Sequence, residues 1–185
     1  MRMMTNLVDK KCESIEWYTP ERVLGPVSAY YKSLGLPGIM CDPATSESNP
    51  TSADTFFTVK EDGLSQEWGD NSFLNPPYGK VMKDWLAKLR DTTENSKTVI
   101  ALLPASRWEQ EYFQRCVFNE ALDGFVLIRK RLQFLRSDGT PCKGNPYASV
   151  LYGYNIQKWR VFERCMSEIG TVIKVADVEW CKDFV

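Results

Sequence analysis

The octapeptide SFLNPPYG, residues 72–79, ends a hydrophobic run with an amide, a pair of prolines and a phenol ring. Proline locks φ and has no N–H, so Pro76 and Pro77 form a stiff, extended stretch that accepts hydrogen bonds and donates none. The Asn75 side-chain oxygen and the Pro76 carbonyl are then a rigid pair of acceptors. Such a pair can take both N–H groups of an amine on an aromatic ring, whose lone pair is otherwise delocalised, and help turn that lone pair toward an electrophile. Tyr78 can stack on a planar base that has left its duplex. Direct transfer to the amine needs no covalent intermediate, and the proton leaves once the nitrogen is cationic. The chain contains no histidine, which removes serine–histidine and cysteine–histidine catalysis; this chemistry needs neither.

Ligands of open α/β sheets sit outside the carboxyl ends of the strands, where Asp42, Asp62 and Asn75 are expected. A carboxylate in that position accepts from ribose hydroxyls or an adenine amino group and favours a cationic cofactor. S-adenosylmethionine has all three features. Asp-Pro and Asp-Gly are also common turn dipeptides, so each aspartate has a plain structural reading beside this one.

The elements that must hold these residues alternate. Pro20 to Leu34 reads as a helix with proline at its start and the Gly35 to Gly38 turn at its end. A short strand, Ile39 to Cys41, gives way at Asp42 to a long polar loop; TFFTVKEDGL is a second strand ending at Asp62, and NSFLNPPYG a third. Val81, Trp85 and Leu89 form one face of the next helix, KTVIALLPAS is a buried strand, and Trp108, Tyr112 and Cys116 are the inner stripe of another helix. GFVLIRKRLQFL and YASVLYGYN are strand-like, Trp159, Phe162, Met166 and Ile169 mark a last helix, and TVIKVADV is a final strand. The expected fold is a three-layer α/β sandwich around a mostly parallel sheet, one domain over residues 1–185 with a flexible arm at 1–15.

Composition narrows the function. Hydrophobic residues make up 43% and charged residues 25%, which describes an ordinary globular fold. The apolar runs are too short to cross a bilayer and the N-terminal stretch has no secretion-signal core, so a cytoplasmic protein is expected. The six cysteines, Cys12, Cys41, Cys116, Cys142, Cys165 and Cys181, show no C-x-x-C spacing; reduced thiols are expected and no metal site. The net charge of −1 hides a sorting: residues 42–70 hold seven acidic groups against Lys60, and residues 125–145 five basic groups against Asp138. Arg129, Lys130, Arg131, Arg136 and Lys143 therefore mark 129–147 as a candidate DNA-contacting loop or a solvated face, and Phe134 either assists base stacking or fills the core.

EWYTP at 16–20, CDPATSE at 41–47, DGLSQEW at 62–68, NPPYG at 75–79, RLQF at 131–134 and NPYASVLYGY at 145–154 occur in the order found in phage and prophage DNA N6-adenine methyltransferases, which the chain resembles. The resemblance implies a class I methyltransferase fold of the Rossmann-like type, S-adenosylmethionine as donor, and DNA adenine as acceptor in a bacterial or phage-infected cell. It implies that Trp17, Tyr18, Thr19 and Pro20 lie near the methionine end of the cofactor. Asp42, with Ala44 beside it, corresponds to the acidic residue of the first strand, and Asp62 to the one near the cofactor's adenine. Asn75, Pro76, Pro77 and Tyr78 are the catalytic loop. The glycine-rich loop usual after the first strand is replaced by DPATSESN, and the short interval from Asp42 to Asn75 implies an abbreviated cofactor half. Enzymes with the same loop also methylate RNA adenine, cytosine and protein glutamine, and an inactive nucleic-acid-binding module of the same fold is the rival from another class.

Overall fold

A computed structural model describes residues 17–142 and 147–176; the expected arm at 1–15, Glu16, Lys143, Cys12 and Cys181 lie outside the described residues. One seven-stranded sheet runs β2-β1-β3-β4-β6-β5-β7. Its strands are β1 (Cys41–Asp42), β2 (Thr55–Phe56), β3 (Ser72–Leu74), β4 (Val99–Pro104), β5 (Leu122–Ile128), β6 (Ser149–Tyr154) and β7 (Gly170–Lys174). The helices are α1 (Glu21–Ser33), α2 (Met82–Glu94), α3 (Glu111–Val117) and α4 (Trp159–Met166).

All six residues of β4 are buried, and their alternation defines the layers. Ile100 and Leu102 join Val23, Val27, Tyr30 and Tyr31 of α1 and Phe162 and Met166 of α4 on one face. Val99, Ala101 and Leu103 join Leu86 and Leu89 of α2 and Phe113 of α3 on the other. Each fully buried side chain of this size contributes about 1.5–3 kcal/mol against exposure, so the continuous run TVIALLP makes β4 the axis of the three layers. Helix α1 begins where Pro20, in extended conformation, offers its carbonyl to Val23 at 2.9 Å.

The three-layer α/β arrangement is as expected, but the sheet is mixed rather than mostly parallel. β2, β1, β3 and β4 pair in parallel through short ladders. After the excursion over 129–148, β6 inserts between β4 and β5 antiparallel to both, and β7 returns from α4 antiparallel to β5. Two local expectations also change. The second strand stops at Phe56 and Asp62 sits in a turn beyond it with φ 54°, because the Thr58 N–H and hydroxyl both bond to the Glu61 carboxylate and fold the chain back. Trp108 precedes α3 instead of opening its stripe; the buried residues of that helix are Phe113, Cys116 and Val117.

Candidate active site

The strand ends β1 and β3, the polar loops that follow β1 and β2, and the segment before α1 enclose a cleft of about 730 Å³. Asp42, Ala44 and Asp62 line it toward those two loops, Asn75, Pro76, Pro77 and Tyr78 along the end of β3, and Trp17, Tyr18 and Thr19 on the side of α1. Residues separated by up to 61 positions, from Trp17 to Tyr78, and drawn from four sequence motifs therefore converge on one space. Pro20 is the exception among the predicted cofactor residues: it starts α1 and does not line the cleft.

Asn75 is held from behind. Its side-chain nitrogen donates to the Thr19 hydroxyl at 3.1 Å and to the Trp17 carbonyl at 3.4 Å. With both amide hydrogens directed at the 17–19 segment, the side-chain oxygen is left as an acceptor. Tyr78 packs edge-on to Trp17 with centroids 6.4 Å apart, and its hydroxyl has no hydrogen-bond partner among the described residues; its burial pushes its pKa upward. Trp17 also lies 5.4 Å from Phe134, which is 1% exposed, so Phe134 both fills the core and forms part of the cleft wall.

Asp42 is 3% exposed, accepting from the Ala44 N–H at 3.1 Å and the Thr51 hydroxyl at 2.8 Å. Burial raises its carboxyl to about 6, the hydrogen bonds from Thr51, Ala44 and Thr45 only partly opposing the shift. The folded protein thus holds this proton more tightly than the unfolded chain, where the ordinary value is 3.8, and the group costs stability progressively as pH rises from about 4 through 6. Asp42→Asn removes that cost. In urea titrations the variant matches the wild type near pH 4 and becomes the more stable protein by on the order of 3 kcal/mol at neutral pH; a gap independent of pH overturns the burial account.

The loop after β1 is held by hydroxyl contacts and turns. Ser46 donates to the Tyr18 hydroxyl at 2.8 Å and lies 2.9 Å from Ser48, while Asn49 and Ser52 take positive φ of 44° and 51°. Sequence reasoning missed Thr45, Ser46, Thr51 and Phe57 as lining residues. The only signal for the first three is the density of hydroxyls in PATSESNPTS, which has no periodicity, and Phe57 lies beyond that stretch. Trp85, read as packing, stacks on Trp68 at 5.9 Å and also faces the cleft.

Among the described residues, Arg129, Lys130, Arg131 and Arg136 do not line the cleft. The Arg129 guanidinium donates to the Ser167 and Glu168 carbonyls past the end of α4 at 2.6 and 3.3 Å, and Arg22 donates to the Arg129 carbonyl at 2.8 Å. Arg129, Lys130 and Arg131 are exposed at this stitched corner. From Leu132 the chain turns inward, and Leu135 exchanges two backbone hydrogen bonds of 2.9 Å with Tyr18. A tight turn then presents Arg136, with Asp138 and Thr140, and Cys142 returns to the Phe134 carbonyl at 2.7 Å. The basic loop is thus rooted in the cleft wall through Phe134 and Leu135.

No helix among the described residues is long and apolar enough to cross a membrane. No curated protein and no solved structure was found to match the chain. A family model described as DNA N-6-adenine-methyltransferase (Dam) matches residues 7–178, a span that takes in every wall of the cleft. The chain belongs to the DNA N-6-adenine-methyltransferase (Dam) family.

Proposed function

We propose that the protein methylates the exocyclic amine of a flipped-out adenine in DNA, with S-adenosylmethionine as donor, in the cytoplasm of a bacterial or phage-infected cell. The observation that carries the reading is the orientation of Asn75. With its nitrogen bonded to Thr19 and the Trp17 carbonyl, the side chain meets a ligand only as an acceptor, which selects an N–H group and rejects a ring carbonyl.

The residues fit the donor on chemical grounds. Asp42 is a buried carboxylate with hydrogen-bond donors on its protein side only, and a ligand that brings hydroxyls or positive charge compensates its burial. Asp62 adds a second carboxylate, and Phe57 and Trp85 supply flat apolar walls. The cleft volume falls within the roughly 300–1,000 Å³ of small-molecule sites. When bound, the cofactor supplies an electrophilic methyl group on a sulfonium centre. Asn75 and the Pro76 carbonyl orient the amine, the Pro-Pro pair keeps both acceptors from yielding, and Tyr78 and Phe134 bound the aromatic face. Arg129, Lys130, Arg131 and Arg136, with Lys143 outside the described residues, are proposed to meet phosphates. Few cations are available, so affinity falls with salt only modestly.

The deciding experiment incubates the protein with tritiated S-adenosylmethionine and unmodified DNA, followed by digestion to nucleosides. Label in N6-methyldeoxyadenosine is expected. Label in a cytosine derivative, or none in DNA, overturns the reading.

A further inference from the structure

We infer that Thr19 is a positioning residue for Asn75. The inference rests on the methyl-transfer reading above, in which the Asn75 oxygen accepts from the substrate amine. An asparagine side chain can rotate by half a turn about its last bond and exchange oxygen for nitrogen at almost no intrinsic cost. Rotated, Asn75 would present two donors to the cleft and repel an amine.

Two acceptors on the 17–19 segment prevent this. The Thr19 hydroxyl, on a residue only 6% exposed, accepts from the Asn75 nitrogen at 3.1 Å, and the Trp17 carbonyl accepts from it at 3.4 Å. A carbonyl can only accept, so it sets the sense of the amide, and the shorter bond to Thr19 anchors it. The segment cannot drift. Leu135 grips Tyr18 through paired backbone bonds, and the Pro20 carbonyl is committed to the first turn of α1. The same three residues thereby tie the amide geometry to the loop that carries Phe134, and the hydroxyl at position 19, on a residue only 6% exposed, accepts on the protein side of the site.

Thr19→Val keeps the shape of the side chain and deletes the acceptor, while Thr19→Ser restores it. The valine variant is expected to lose about 10- to 100-fold in kcat, with S-adenosylhomocysteine affinity by calorimetry within twofold of wild type, and serine to recover most of the loss. A second readout does not depend on turnover. In protein labelled with ¹⁵N-asparagine, the Asn75 side-chain NH2 pair, identified by its absence in Asn75→Ala, is expected to shift in the valine variant and return in the serine variant. An unshifted pair, a kcat within twofold of wild type, or a loss of cofactor affinity that matches the loss of rate overturns the inference. Wild-type protein that transfers no methyl group overturns the functional reading instead, and the NH2 resonances still decide whether Thr19 holds Asn75.

Discussion

Asn75→Ala is expected to lower methyl transfer by about 10²- to 10³-fold, the scale seen when one preorganised hydrogen-bonding group is deleted from a site of developing charge. The loss should fall on kcat. Asn75 sits at the end of β3, one strand over from Asp42, and bonds to Trp17 and Thr19 rather than to the loop after β1, so S-adenosylhomocysteine should still raise the melting temperature of the variant as it does that of the wild type. The direction follows from the amine: without the side-chain oxygen, the Pro76 carbonyl holds one N–H and the lone pair relaxes back into the ring. Asn75→Asp separates this from simple loss of volume. It keeps an acceptor toward the cleft but places a second oxygen against the Trp17 carbonyl, where the wild type has a donor at 3.4 Å. Aspartate should therefore fail to rescue the rate. Steady-state kinetics on a defined duplex decides; either variant within tenfold of wild type removes Asn75 from the mechanism.

The parts of this site that could be read in advance are those whose residue types are unusual for their setting. Two prolines one residue past the buried run Ser72–Leu74 cannot serve a central strand, and that misfit marks the cleft-lining loop before any fold is known. Buried strand β4 was equally plain, because its apolar residues are continuous and both faces are covered. The loop over 43–54 was not legible as a wall of the cleft. Its structure comes from side chains bonding to nearby backbone, such as Asn49 to Ala53 in both directions, at 2.9 and 3.1 Å, and such turns carry no period. The second strand was overextended for the same reason: FFTV has the composition of a strand, yet Val59 is 93% exposed. Nor could pairing order be read, since nothing in YASVLYGY says that β6 inserts between β4 and β5. The basic loop was legible as charge, but the use of the Arg129 side chain on two carbonyls is a tertiary fact.

Gly63→Ala is expected to collapse the cofactor side of the cleft. A Cβ at this position would be driven into the Pro43 carbonyl oxygen, with the Pro43 carbonyl carbon and the Trp85 ring each at 3.0 Å. Two of these neighbours are backbone atoms, so no side-chain rotation relieves the overlap. Gly63 cannot back away easily, because its carbonyl accepts from the Trp68 indole at 2.7 Å and that ring is stacked on Trp85. Pro43 cannot yield without moving Asp42 and Ala44, whose 3.1 Å hydrogen bond orients the buried carboxylate. One methyl group therefore sets the loop bearing Asp62 against the start of the loop that follows Asp42. Overpacking of this kind costs about 3 kcal/mol or more, which for a chain of this length lowers the melting temperature by roughly 6–12 °C. Stabilisation by S-adenosylhomocysteine should disappear with it. Gly25→Ala is the control. There, inside α1, the added methyl meets only the end of the Glu21 side chain at 3.2 Å, and helix propensity favours alanine by up to about 1 kcal/mol. Thermal melts with and without the ligand should thus show opposite signs for the same substitution. A Gly63→Ala protein that melts within 2 °C of wild type and binds the ligand as before would mean that the two loops are not in contact, and the cleft would lose the wall between its two carboxylates.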